Sequence, residues 1–175
     1  MEKIVVRKAE IDDIPHIVKL IKTLPPTSKP ITQTIPLLLN KDLNVTETII
    51  TNQVKSHELT LYVAIENNKI VGAVYLNHTT NYIGHFHNKQ QDTYVQAALL
   101  NHITEVAKKK GLHSLLVKTH INSKPLIRLL TSNGFYPLTD EAVQDDTIFY
   151  TKQLIPQVLA AVELIPDDKK VPMLV

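Results

Sequence analysis

The stretch Asn81–Gly111, NYIGHFHNKQQDTYVQAALLNHITEVAKKKG, decides how this chain is read. Tyr82 to His87 has the β-branched and aromatic content of a strand. A polar loop follows, and then a helix whose Val95, Ala98, Leu99, Ile103, Val106 and Ala107 share one face at helical spacing. Asp92 stands where a side-chain oxygen can cap the first helical amides. Lys108, Lys109 and Lys110 occupy the last turn and Gly111 follows. Cations there complement the carbonyl end of the helix, and glycine takes the left-handed cap. The basic run therefore reads as a helix ending, not as a patch for nucleic acid.

Upstream, Leu59–Ile65 and Ile70–Leu76 read as two strands joined by the turn Glu66–Lys69, a β-hairpin. Nearer the start, Ile4–Ala9 is a short strand. Asp12 or Asp13 is expected to cap the helix after it, with Pro15 in its first turn and Ile14, Ile17, Val18 and Ile21 inward. His16 falls on the outer face. Pro25, Pro26, Pro30 and Pro36 exclude one regular element between Pro25 and Leu43. A second helix is expected over Val45–His57, burying Ile49, Ile50 and Val54.

Downstream, Leu112–Lys118 is a strand close enough to the helix for a parallel crossover. Ser123 can cap a short helix with Pro125, Leu126, Leu129 and Leu130 that closes at Asn133-Gly134. Phe135–Leu138 and Thr147–Leu154 are the last two strands. The order is strand, two helices, three strands, helix, strand, helix, two strands. Residues 1–154 form one domain. Residues 155–175 form an extension in which Val158, Leu159, Val162 and Ile165 share a helical face. Its apolar end, Val171–Val175, is expected to pack on the domain or on a second subunit, as in a homodimer.

Composition narrows the function. The chain has 175 residues, 43% hydrophobic and 21% charged, the balance of one folded domain. A formal charge of +2 gives no electrostatic reason for a nucleic-acid partner. No cysteine is present, which removes thiolate nucleophiles, disulfides and cysteine-ligated zinc. The N-terminus, MEKIVVRKAE, has no apolar core of a secretory signal, and no apolar run reaches the ~20 residues of a membrane span. The expected location is cytoplasmic, away from membranes.

The order of elements and several phrases resemble the Gcn5-related N-acetyltransferases, the GNAT family, over roughly residues 3 to 154. IVVRKAEIDDIPHIVKLI is similar to the family's opening strand and helix. NNKIVGAVYL resembles its second hairpin, with Gly72 at the usual place. SKPLIRLLTSNGF, Ser123 to Phe135, is similar to the phrase N-x-P-A-x-x-x-Y-x-x-x-G-F, and DTIFYTKQL to the closing strand. The resemblance implies an α/β (α+β) fold with a mixed, mostly antiparallel central sheet of six or seven strands flanked by helices. It also implies acetyl-CoA as co-substrate, entering where the fourth and fifth strands splay, with its pyrophosphate at the start of the central helix. The acceptor would be an amine of a small molecule or a protein.

Carried over residue by residue, the family's R/Q-x-x-G-x-G/A motif falls on Gln91, Asp92, Thr93, Tyr94, Val95 and Gln96, with Ala97 next. Gln91 fits the first position. Tyr94 and Gln96 stand where small residues let a phosphate approach bare amides. Asp92 puts negative charge beside an incoming pyrophosphate; Lys89, Lys124 and Arg128 are the cations available to offset it. The resemblance assigns Phe86, Gln91, Thr93, Tyr94, Val95, Gln96, Ala97 and Ser123 to the cofactor.

The family's usual proton handlers have no counterpart. Its strand glutamate falls within Tyr82–His87, which has no acid, and its helix tyrosine falls on Leu130. His85 and His87, two apart on a strand, are the remaining general bases, with a free pKa near neutrality. Tyr82 is a second option, and Tyr136 and Tyr150 are replacements for the acid. The same histidines with His78 would make a metal set, but no metal is assigned. Two functions stand: an acetyl-CoA-dependent N-acyltransferase, or a non-catalytic domain binding a metabolite or protein in the same groove.

Overall fold

The computed structural model describes residues 3–22, 43–84, 86–88, 92–138 and 146–154. The expected extension at 155–175 and the proline-punctuated connection lie outside these residues, apart from the start of the second helix. Strand β1 is Val5–Lys8, followed by a 3-10 turn, Ile11–Asp13, and helix α1, Ile14–Lys22. Helix α2 is Leu43–Lys55, β2 Leu59–Glu66 and β3 Lys69–Asn77. The chain continues through β4, Tyr82–Ile83, β5, His87–Asn88, and helix α3, Thr93–Lys109. Strand β6 is Ser114–His120, α4 Lys124–Ser132, β7 Tyr136–Pro137 and β8 Thr147–Gln153.

These strands form one sheet in the order β1-β2-β3-β4-β6-β8-β7, with β5 also paired to β3. Among the described pairings, only β4 with β6 is parallel. Counting β4 and β5 as one interrupted strand gives seven, the expected mixed and mostly antiparallel sheet. The hairpin between β2 and β3 turns on Asn67 and Asn68, both at positive φ (51° and 59°), which asparagine tolerates better than other side chains.

Alternation along β2 and β3 feeds two cores. Tyr62, Ala64, Val74 and Leu76 face Val95, Leu99, Leu100 and Ile103 of α3, with Leu130 of α4 in the same cluster. Leu61, Val63, Ala73 and Tyr75 face Ile14, Ile17, Val18 and Ile21 of α1 and Ile50 of α2. Each fully buried aliphatic side chain contributes about 1.5–3 kcal/mol, so both helical layers are fixed by the sheet's central strands.

Two local expectations are corrected. A 3-10 turn precedes α1 and has its own N-cap, Glu10, and Asp13, expected only as a helix cap, reaches back to the Glu10 N–H at 2.8 Å in a capping box. Asp13 also takes a two-pronged bond from Arg7, at 2.6 and 2.9 Å, which ties the turn to β1. The second correction concerns the strand Tyr82–His87. The ladder matches Leu76 to Ile83 but Ala73 to His87, so four steps on one strand oppose three on the other. One extra residue is accommodated between them, a β-bulge. Among the described residues, no helix is long and apolar enough to cross a membrane.

Candidate functional site

The bulge has a steric cause. The Tyr75 ring lies directly over Gly84, where any β-carbon would collide with it. Gly84 donates its N–H to the Tyr75 carbonyl at 2.9 Å, and Phe86 follows, half-buried against the α3 core. Only Tyr82 and Ile83 pair with β6, at Leu116 and Val117. Beyond them β6 runs on through Lys118, Thr119 and His120 while β5 turns to β3, so the two strands part. A gap therefore opens at the carboxyl ends of two parallel strands. Because β4 and β6 are parallel, the starts of α3 and α4 come to that same end of the sheet.

Tyr82 reaches into this gap. Its oxygen faces the Lys118 N–H, two residues past its own partner Leu116. Burial pushes its pKa up to about 12, against a smaller opposing effect of that N–H. Tyr75, whose ring centre is 6.2 Å away, is raised further, again by burial. Both phenols are therefore protonated at neutral pH. Tyr82 can donate a proton or hydrogen bond but is unsuited to the general-base role considered for it.

At the start of α3, Asp92 is the N-cap, as the sequence led us to expect, and its Oδ1 accepts from the Tyr94 N–H at 2.8 Å. Thr93 and Tyr94 are exposed, whereas Val95 is buried. Val95 lies on Gly72, where a β-carbon would stand 2.5 Å from Val95 Cγ1 and 3.2 Å from Leu99 Cδ1. Glycine there lets helix and strand approach closely. Ala97 is half-buried on the next turn of the surface.

Gln96 does not face solvent. It is 6% exposed, under the helix, and its Nε2 donates to Asn88 Oδ1 at 3.0 Å. Asn88, 3% exposed on β5, donates in turn to the Asp92 carbonyl at 3.0 Å. Among the described residues, Gln96 Oε1 is buried without a hydrogen-bond partner. Sequence reasoning missed Asn88 altogether, since a single asparagine before a polar loop has no periodic signature.

The remaining expected residues are dispersed. Ser123 sits at the N-cap of α4 but its hydroxyl makes no capping bond. Leu130 is fully buried in the core, so that position supplies no proton donor. Tyr150 is core and Tyr136 is exposed on β7. The backbone of His87 pairs with Ala73. His85 and Gln91 lie outside the described residues, as does the side chain of His87. His78 is far from this end: its Nε2 lies 2.7 Å from Thr60 Oγ1 and 3.2 Å from Lys110 Nζ, at the close of α3. Among the described residues, no three His, Asp or Glu side chains gather as a metal set.

No family model matches the sequence, and no curated protein is similar to it. Solved structures are. The acetyltransferase of the GNAT family from Streptococcus pneumoniae superposes with a TM-score of 0.64 at 15% identity, over 87% of this chain and all (100%) of that one. The PaiA N-acetyltransferase of Thermoplasma acidophilum, in complex with coenzyme A, gives 0.65 at 15% identity, covering 87% and 99%. RimL, a ribosomal alpha-N-protein acetyltransferase also in complex with coenzyme A, gives 0.64 at 14%, covering 86% and 94%. This chain has the GNAT acetyltransferase fold.

Proposed function

We propose that the protein is an N-acyltransferase that moves an acetyl group from acetyl-CoA to an amine. The observation that carries this reading is the gap between β5 and β6, bounded by the bulge and by the start of α3. The two coenzyme A complexes of the same fold support it. The fit to acetyl-CoA is uneven along the ligand. An orphan acceptor, Gln96 Oε1, and a gap that holds the Tyr82 hydroxyl suit the pantetheine arm and thioester. At the helix start, the Asp92 carboxylate already holds the Tyr94 N–H and opposes a diphosphate.

In the reaction the neutral amine nitrogen attacks the thioester carbonyl carbon, the C–S bond breaks, nitrogen loses a proton and the sulfur gains one. A bulge takes backbone groups out of the ladder, and the stretch around Phe86 would polarise the carbonyl through such an N–H. His85 or His87 would take the amine proton, directly or through water. Tyr82 is the protonated group at the gap and would return one to the thiolate. Phe86, Gln91, Thr93, Tyr94, Val95, Gln96, Ala97 and Ser123 would line the acetyl-CoA site. The acceptor class is a small-molecule or protein amine; RimL is named for a ribosomal protein substrate. A cytoplasmic setting, and an extension at 155–175 that packs on the domain or on a second subunit of a homodimer, belong to the same proposal.

Two observations favour the second reading, a non-catalytic domain that binds a metabolite or protein in this groove. Asp92 occupies an amide that a phosphate would use, and Leu130 is buried where the family has its acid. Free-thiol release from acetyl-CoA with aliphatic polyamines, amino acids and N-terminal peptides separates the two. Amine-dependent thiol release supports transfer. No release with any of these amines at millimolar acetyl-CoA, despite saturable binding, supports the second reading.

A further inference from the structure

The amide chain under α3 has a fixed direction. The Asp92 carbonyl can only accept, and it receives both the Gln96 N–H at 3.1 Å and Asn88 Nδ2 at 3.0 Å. This orients the Asn88 amide, so Asn88 Oδ1 faces Gln96, which must present Nε2 to it. What remains is Gln96 Oε1, an acceptor with no donor, on a side chain more than nine-tenths buried. Leaving such a group unpaired costs about 1–3 kcal/mol, so it has the character of a site awaiting a donor.

Its place in the helix says which side it serves. Val95 and Leu99 lie on Gly72 of β3, and His102 stacks edge-on against Tyr62 of β2. Gln96 is one step further round, in line with Leu100 and Ile103, and is tied to Asn88 of β5, the strand that parts from β6. A carbonyl oxygen at this point repels an anion and attracts an N–H or O–H.

We propose that Gln96 Oε1 accepts a hydrogen bond from an amide N–H of the ligand's pantetheine arm, making Gln96 a specificity residue for that half of acetyl-CoA. The inference rests on the acetyl-CoA reading above. Pantetheine carries two secondary amides and no phosphate; ADP carries the diphosphate and no secondary amide. The two halves can therefore be titrated separately.

The test is calorimetric titration of acetyl-CoA, pantetheine and ADP into the full chain and into Gln96→Met, which keeps length and removes the acceptor. Wild type should bind acetyl-CoA, and Gln96→Met should bind acetyl-CoA and pantetheine on the order of tenfold more weakly, with ADP unchanged. Unchanged acetyl-CoA affinity, or equal losses for pantetheine and ADP, overturns the inference while leaving the acetyl-CoA reading intact. If wild type takes up no acetyl-CoA, both fail together. Should Gln96→Met not fold, the paired variant Asn88→Leu with Gln96→Met removes both partners and carries the same expectation.

Discussion

The two ends of α3 are built by opposite rules. At its close, the backbone caps itself. The Lys110 N–H bonds Val106 O, Leu112 N–H bonds Ala107 O, each at 3.0 Å, and Gly111 turns the chain at φ 71°. At its start, Asp92 caps one amide with a carboxylate, Gln96 leaves an acceptor unpaired, and the strand beneath bulges at Gly84. A buried polar atom without a partner lies at each end, His78 Nδ1 beside the close and Gln96 Oε1 at the start, but only the start adjoins the junction where β5 and β6 part.

The largest contrast comes from adding one methyl at each end. Gly84→Ala drives a β-carbon into the Tyr75 ring, which is packed among α1 residues, and should cost about 3 kcal/mol of stability. Gly111→Ala meets nothing within 4 Å and pays only for its left-handed φ, about 1 kcal/mol, with ligand binding unchanged. Denaturant unfolding of both variants checks the pair. Equal losses would remove the steric basis given for the bulge.

A smaller effect is expected from charge at the start of the helix. Asparagine caps as well as aspartate, so Asp92→Asn should leave helix stability within a few tenths of a kcal/mol. Without the carboxylate, ADP and acetyl-CoA should bind roughly 2–5-fold more tightly, as expected for one helix-end charge. Weaker binding in this variant would mean that Asp92 serves the ligand.

The smallest effect belongs to the close of α3. Burial first, then Lys110 and Lys8, hold His78 below its ordinary 6.5. The folded state therefore binds the proton less readily than the unfolded state. Stability is full above 6.5, falls as pH drops toward the lowered value, and levels off beneath it. His78→Gln should flatten that decline in thermal melts between neutral and mildly acidic pH. An unchanged slope would assign the dependence to other groups, His102 among them, which is also lowered by burial and by Lys109.

The fold was legible because its signals are local and repeated. The stripe of α3, the lysine-glycine ending and the asparagine turn at Asn67-Asn68 each follow from neighbouring residues. The site was legible only where a local rule applied, as with Asp92 at the cap. The bulge was not, since a one-residue offset arises from Tyr75 crossing over Gly84, nine positions away in sequence but adjacent in the sheet. Arg7 with Asp13, and Asn88 with Gln96, likewise depend on tertiary placement. Gln96 read as an obstacle to the ligand; its burial and the direction of its amide, both tertiary, are what the proposed pantetheine contact rests on.

Titration of acetyl-CoA into the unmodified chain by calorimetry tests the central claim most directly. The open junction between β5 and β6, with an unpaired acceptor at its margin, predicts saturable binding with micromolar Kd. Absence of heat and of any thermal shift at millimolar acetyl-CoA would contradict it.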